Sequence, residues 1–187
     1  DHRVLGTTVF PGTAYLDMAA RGLAAAAGAD WQPVLLKDVS FERPLTLAYR
    51  KPKTVHLIVE NGANGSGEAH FRIVAADNEN EVFCQGRGSA ASAGGEQVAA
   101  IAAIKDQPQA MPIGTFYGDL RKVGLEYGAM FANVRDIWFG APGSGQAIGR
   151  VALTPANINA AQEPYTSAVL LDASLHVFGA ALKLLDT

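Results

Sequence analysis

The chain has 187 residues, 49% of them apolar, and its 15 basic and 18 acidic residues give a net charge of −3 with neutral histidines. This composition supports a packed core and excludes a disordered chain, while the mildly acidic charge argues against nucleic-acid binding. The single cysteine, Cys84, excludes an intrachain disulfide framework. No apolar run approaches the ~20 residues that span a bilayer, and the first residues lack a signal-peptide pattern, so we expect a cytoplasmic protein without membrane contact.

The first half of the chain predicts one buried helix followed by a sheet. An apolar helical stripe extends from about residue 12 to 27, with Pro11 at its start and Gly28 as its stop. Runs of strand-forming residues then occur at residues 34–41, 53–60, 68–75 and 81–89, and the second and third alternate with period two. This spacing predicts an antiparallel meander that packs against the helix.

The second half repeats this plan in shorter form. Its elements are a connector at 90–112, a short helix at 113–123, a hairpin of strands 133–139 and 146–153, and a helix at 167–185. The last helix is apolar on nearly every side, which predicts burial on most sides, and Thr166 or Ser167 can cap it.

Two units of one plan, a buried helix wrapped by an antiparallel sheet, indicate an α+β fold. We predict an N-terminal unit at 1–89, a linker at 90–112 and a C-terminal unit at 113–187. Neither unit has the full set of strands that this plan requires, so we expect further sheet-forming segments beyond both ends of this sequence.

A carboxylate inside the last helix is the first candidate for chemistry. Asp172 lies within an apolar run, where a carboxylate is costly unless it is paired or neutral. His176 follows four residues later, so both side chains project from one face of the helix. Alone, this pair is as consistent with a structural polar contact as with catalysis.

A histidine followed by a glycine and a proline is the second candidate. In His2-x3-Gly6-x4-Pro11, the glycine offers a bare N–H and the proline fixes the entry to a helix. That arrangement suits an oxyanion site beside an imidazole. For an isolated histidine near a chain end, a solvated side chain is the simpler interpretation.

The third candidate is Tyr127-Gly128-x2-Phe131, where a sharp backbone turn can place a phenol near a substrate oxygen. Alone, a turn with two core aromatics is favoured. His56 and His70 fall on the polar faces of predicted strands, and the sequence has no histidine or cysteine spacing typical of a metal site.

Together the three motifs resemble the dehydratase domains of type I modular polyketide synthases. His2-x3-Gly6-x4-Pro11 matches the family's HxxxGxxxxP motif, Asp172-x3-His176 matches DxxxQ/H, and Tyr127-Gly128-x2-Phe131 matches a YGxxF-type motif. This chain departs from the family at Ala129, where proline is common, and at Ser167-Ala168, where His-Pro is usual. We expect these departures to affect local geometry rather than chemistry.

The resemblance implies a double hotdog with its site between two fused helix-in-sheet units. It implies removal of water from a (3R)-3-hydroxyacyl thioester during chain elongation. His2 is then the base and Asp172 the acid, contributed by opposite halves of the chain, with His176 orienting Asp172, Gly6 polarising the thioester carbonyl and Tyr127 assisting. The expected acyl-tunnel lining comprises Val9, Phe10, Pro11, Gly128 and Phe131.

No metal or redox cofactor is implied, because the phosphopantetheine arm of the acyl carrier protein belongs to the substrate. Expected partners are that carrier, neighbouring synthase domains and a second copy in a homodimer, with no nucleic acid. Candidate carrier contacts are Arg121, Lys122, Arg135 and Arg150. Two alternatives stay open: a bifunctional dehydratase/cyclase that also closes an oxygen heterocycle, and a non-catalytic module that docks the carrier.

Overall fold

A computed structural model describes residues 2–28, 34–62, 67–91, 110–141, 144–154 and 165–183. The chain divides into two compact units: a middle unit, Val9–Gly95, and a terminal unit that combines Asp1–Thr8 with Glu96–Thr187. In chain order the described elements are β1 (His2–Val4), β2 (Thr7–Thr8), α1 (Gly12–Ala26), β3 (Val34–Phe41), β4 (Val55–Asn61), β5 (Glu68–Ala75), β6 (Asn78–Ala90), α2 (Ile113–Lys122), β7 (Leu125–Tyr127), β8 (Val134–Phe139), β9 (Ala147–Val151) and α3 (Tyr165–Lys183).

The middle unit packs helix α1 against a four-stranded antiparallel sheet of order β3-β6-β5-β4. Strands β4, β5 and β6 form a meander as predicted, but β3 pairs with the far side of β6 rather than with β4, so the predicted four-stranded meander is wrong at β3. Alternation along β5 buries Phe71 and Ile73 and exposes His70. Pro11 occupies the N-cap of α1, as predicted. The period-two pattern therefore gives one buried and one polar face along the first part of β5, whereas Ile73, Val74 and Ala75 are all buried where the pairing with β6 is irregular.

The terminal unit contains two smaller sheets. One has the order β2-β1-β7, and the other is the hairpin β8–β9, on which α3 packs. The approach of α3 is close, because a Cβ atom added at Gly149 on β9 would collide with the side chain of Val177 on α3. The core cluster of this unit comprises Phe116, Val134, Ile137, Phe139, Ala173 and Ala180.

Helix α3 differs from its prediction in two respects. It begins at Tyr165, so Thr166 and Ser167 lie within its first turn and the predicted capping position is wrong. One of its faces is open to solvent, since Leu171, Leu175 and Phe178 are 40%, 49% and 60% exposed. Burial on most sides is therefore wrong as well, because the described sheet that α3 packs on, β8–β9, covers one side of the helix.

The first residues of the chain are also placed differently from the prediction. The sequence predicts that they belong to the N-terminal unit. In the structure Asp1–Thr8 is part of the terminal unit, because β1 hydrogen-bonds to β7. The core of the predicted linker, residues 92–109, lies outside the described residues. Within the described ranges, no helix combines the length and apolar character needed to cross a membrane.

Candidate active site

Main-chain pairing brings the histidine motif and the tyrosine motif together. Strand β1 runs antiparallel to β7 with His2 opposite Tyr127, and the Leu5 N–H donates to the Gly124 carbonyl at 2.7 Å. The His2 ring then contacts Tyr127 and Phe131 edge to face, with centroid distances of 5.4 and 5.5 Å. The imidazole is therefore held between two aromatic rings of the second motif.

Helix α3 brings a carboxylate to the same place. Nε2 of His2 lies 3.9 Å from Oδ1 of Asp172, and both side chains are largely shielded from solvent. The two residues come from opposite halves of the sequence, as expected, but both belong to the terminal unit, so they are not supplied by two different units. The physical reason is the β1–β7 pairing, which ties residue 2 to the C-terminal part of the chain. The predicted meeting of this imidazole with this carboxyl group is present.

His176 faces the other carboxylate oxygen. Its Nε2 lies 2.9 Å from Oδ2 of Asp172, as the four-residue spacing predicts, and the two residues are only 5% and 6% exposed. The approach is a close polar contact whose geometry is not that of a directed hydrogen bond. Asp172 thus lies between two imidazoles, one at each oxygen.

Tyr127 closes the cluster. Its ring lies 3.9 Å from that of His176, centroid to centroid, at an interplanar angle of 45°. Burial raises the pKa of Tyr127 to about 12, and the negative charges of Asp172 and Tyr117 add to the shift. The phenol therefore keeps its proton at physiological pH and is available as a hydrogen-bond donor.

Tyr117 is a residue of this cluster that the sequence did not indicate. It projects from α2, makes a T-shaped contact with His176 at 6.0 Å and another with Tyr127 at 6.3 Å. Its hydroxyl accepts a hydrogen bond from the Val134 N–H at 3.0 Å, and burial raises its pKa. An aromatic residue on a short helix carries no local signal for this role, which depends on its long-range ring contact with His176 of α3.

Gly6 occupies the turn between β1 and β2. Leu5 and Gly6 have φ values of 49° and 76°, the paired left-handed conformation of a two-residue hairpin turn, which favours glycine at position 6. Gly128 also forms a turn, since its carbonyl accepts the N–H groups of Phe131 and Ala132, both at 2.9 Å. This turn aims Phe131 at the His2 ring. An oxyanion role for Gly6 stays a prediction.

The predicted tunnel residues of the first motif lie in the middle unit. Val9 forms a bridge to Thr46, Phe10 packs on Tyr15 at a centroid distance of 4.9 Å, and Pro11 starts α1. Their lining of an acyl tunnel with Gly128 and Phe131 stays a prediction. Within the described part of the chain, no group of three or more histidine, cysteine, aspartate or glutamate side chains is arranged to hold a metal ion.

Two family models match this chain. The model described as "Polyketide synthase dehydratase domain" matches residues 1–76, and that described as "Polyketide synthase dehydratase N-terminal domain" matches residues 95–184. Among curated relatives, polyketide synthase PksM of Bacillus subtilis (strain 168) is 26% identical over 94% of this chain, and PksN of the same organism is 30% identical over 84%. The matched region amounts to 4% and 3% of those two relatives.

Solved dehydratase domains have the same fold. The dehydratase domain from the CurF module of curacin polyketide synthase superposes with a TM-score of 0.79 at 24% identity, covering 97% of this chain and 65% of that domain. A trans-AT polyketide synthase dehydratase domain from Brevibacillus brevis gives 0.77 at 25% identity, covering 95% and 66%. The α+β double-hotdog fold is thereby confirmed.

The two family models together span most of the chain, and they match the segments that contain the histidine, tyrosine and aspartate motifs. The curated relatives are polyketide synthases, and the solved structures are dehydratase domains of such synthases. The chain therefore belongs to the dehydratase domains of modular polyketide synthases.

Proposed function

We propose that this chain removes water from a (3R)-3-hydroxyacyl thioester on an acyl carrier protein, giving the α,β-unsaturated thioester during polyketide chain elongation. The observation that carries the proposal is the 3.9 Å approach of His2 Nε2 to Asp172 Oδ1 inside a shielded aromatic cluster. Elimination of water needs a base and an acid at adjacent carbon atoms of the substrate, and these two side chains are close enough to serve both.

His2 and Asp172 together account for every proton that moves in the reaction. The neutral imidazole of His2 takes the proton from the α-carbon, and that electron pair forms the carbon–carbon double bond. The β-carbon–oxygen bond breaks as the protonated carboxyl group of Asp172 donates its proton to the departing hydroxyl, which leaves as water. Because the imidazolium and the carboxylate are then neighbours, a proton passing from His2 to Asp172 restores the starting state.

His176 acts in this scheme as a positioning residue. It holds Oδ2 of Asp172 at 2.9 Å, which leaves Oδ1 directed toward His2. Tyr127 supplies a phenol that stays protonated, and it assists at the β-oxygen. Gly6 polarises the thioester carbonyl through its N–H. Val9, Phe10, Pro11, Gly128 and Phe131 line the path of the acyl chain.

The wider setting is part of the same proposal. The chain works beside other synthase domains in the cytoplasm and as a homodimer, with no metal or redox cofactor of its own. Its substrate arrives on the phosphopantetheine arm of the carrier. Family membership supports this setting. Light scattering of the purified protein tests the dimer, and a monomeric mass at micromolar concentration would contradict it.

The activity test uses a carrier protein loaded with each 3-hydroxyacyl stereoisomer, and mass spectrometry detects the loss of one water. The CurK dehydratase is inactive when a histidine is replaced by phenylalanine or an aspartate by asparagine. We therefore expect His2→Phe and Asp172→Asn each to lower turnover by at least about 100-fold.

Matched controls separate chemistry from folding. His56 and Asp77 are exposed residues of the middle unit, so His56→Phe and Asp77→Asn should keep turnover within about twofold of the original chain. Full activity of either site variant would overturn the assigned roles. If the unmodified chain removes water from neither stereoisomer, the non-catalytic docking module becomes the better explanation.

A further inference from the structure

An exposed basic loop in the middle unit has no role in the chemistry proposed above. The loop, residues 43–53, joins β3 to β4 and contains four exposed cations, Arg43, Arg50, Lys51 and Lys53. Tyr49 is 85% exposed at its tip, and the Arg50 guanidinium lies 5.1 Å from the centre of the Tyr49 ring. A solvated aromatic ring next to arginine is a common energetic centre of protein interfaces.

The loop is an ordered surface. Leu45 is 4% exposed and anchors it in the core, where the Leu45 carbonyl accepts the Phe10 N–H at 2.9 Å. Thr46 bridges to Val9, and the Lys51 N–H donates to the Ala48 carbonyl at 3.1 Å, which closes a turn at the tip. A loop fixed at these points loses little conformational entropy when a partner binds.

Its cations are also available. Within the described part of the chain, none of the four forms an ion pair with a carboxylate. The nearest acidic group in sequence, Glu42, already accepts hydrogen bonds from Ser40 and Gln85. On the far side of the loop, Lys53 shares a cavity of about 380 Å³ with Asp77 and Glu81. Arg50 and Lys51 are exposed beside Tyr49 at the tip, and neither lines this cavity.

The cations that the sequence suggested for carrier contact are less suitable. The Arg135 guanidinium donates to the carbonyls of Ala132 and Ala152, so it supports the fold of the terminal unit. Arg150 pairs with Asp136, and Lys122 pairs with Asp119. Of the four residues proposed from sequence, only Arg121 has no such hydrogen bond or ion pair among the described residues.

We propose that the basic loop, residues 43–53, is the docking surface for the acidic acyl carrier protein, with Arg50, Lys51 and Tyr49 at its centre. This inference rests on the proposed function, which requires a substrate carried by a protein. Charge complementarity selects an acidic partner for four cations on a chain of net charge −3. The loop is bonded to Val9 and Phe10, the residues expected to line the start of the acyl path, so docking here would deliver the pantetheine arm to that segment.

The test compares carrier-bound and carrier-free substrates. In the Arg50→Glu/Lys51→Glu variant, kcat/KM for the 3-hydroxyacyl carrier protein should fall by about tenfold or more, because two attractive charges become repulsive. For the same acyl group on free pantetheine, kcat/KM should stay within about twofold. Added salt should weaken the carrier reaction of the original chain more strongly than that of the variant.

The Arg121→Glu/Lys122→Glu variant has the same charge change on the terminal unit, and it should leave both reactions nearly unaltered. An equal loss with both substrates in the Arg50→Glu/Lys51→Glu variant would overturn the proposal, and so would a carrier-specific loss confined to the Arg121→Glu/Lys122→Glu variant. Affinity for the phosphopantetheinylated carrier, measured by fluorescence anisotropy, separates docking from catalysis. Weaker binding by the Arg50→Glu/Lys51→Glu variant supports the docking surface even if no water is lost, whereas unchanged binding overturns it.

Discussion

The two units of this protein differ in what they bury. The middle unit buries apolar side chains between one helix and one continuous sheet, all from a single stretch of sequence. The terminal unit buries a group of polar side chains: among the described residues, Asn133, Asp172 and His176 are each under 7% exposed, whereas the middle unit buries one uncharged polar side chain, Thr13. The comparison separates two tasks, since the first unit is organised for packing and the second keeps costly polar groups in place for chemistry.

The units also differ in how the chain closes them. Strands β4, β5 and β6 pair in sequence order, so most of the middle unit's sheet forms from local pairings, and β3–β6 is its longer-range pairing. The terminal unit depends on the pairing of β1 with β7, two strands that are far apart in the sequence. Distant pairings have a larger loop-closure entropy to overcome. Because the middle unit is organised for packing and the terminal unit holds the proposed catalytic residues, we expect variants of the middle unit to change mainly the free energy of unfolding. Variants of the terminal unit should change mainly turnover.

The largest expected effect on stability is in the middle unit. Phe71 is 1% exposed at the centre of the core, so Phe71→Ala should lower the free energy of unfolding by about 3–5 kcal/mol through lost burial and the cavity left behind. Urea denaturation followed by circular dichroism measures this change. Asp172→Asn keeps the side-chain volume and should change the unfolding free energy far less while abolishing turnover. If Phe71→Ala leaves stability unchanged and Asp172→Asn unfolds the protein, the division between a packing unit and a chemical unit is wrong.

Two glycines, each in close contact with the helix of its own unit, allow the two units to be compared with the same substitution. A Cβ atom at Gly149 would collide with Val177 on α3, and one at Gly88 would collide with Leu23 on α1. Each alanine variant should cost about 1–3 kcal/mol of stability from overpacking. Gly149→Ala should also lower kcat by about tenfold or more, because it displaces the helix that carries Asp172.

Gly88→Ala is the matched control, since α1 carries neither proposed catalytic residue, and its kcat should stay within about twofold. Steady-state kinetics with a pantetheine thioester measures both variants without involving the carrier. Equal losses of kcat in the two variants would show that the site is sensitive to general loosening rather than to the placement of α3.

The middle unit could be predicted from sequence because its signals are local. Alternation in β5 places Phe71 inside and His70 outside, and Pro11 fixes the start of α1; each depends only on neighbouring residues. The short strands β1, β2 and β7 could not be predicted this way. They contain two or three residues each, too few for a periodic pattern, and they exist because distant segments pair.

The site shows the same limit. Spacing alone paired Asp172 with His176, since four residues make one helical turn, but it left a structural role equally open. The prediction that His2 lies beside this pair came only from the family resemblance, because no local pattern links residue 2 to a helix near the other end of the chain. Tyr117 was not predicted for a related reason: its ring contact with His176 joins residues 59 positions apart, and no local pattern indicates it.

The smallest expected effect concerns the phenol that shields the proposed site. Burial raises the pKa of Tyr127 in the folded protein from the ordinary value of 10.0 to about 12, so this group favours the folded state below pH 10 and that contribution is lost as the pH rises through about 12. The unfolding free energy should therefore fall between pH 10 and 12, and less steeply in Tyr127→Phe. Denaturant titrations across this range measure the slope, and Tyr49→Phe at an 85% exposed position is the control. Identical slopes for Tyr127→Phe and the unmodified chain would mean that the terminal unit does not hold this phenol away from water.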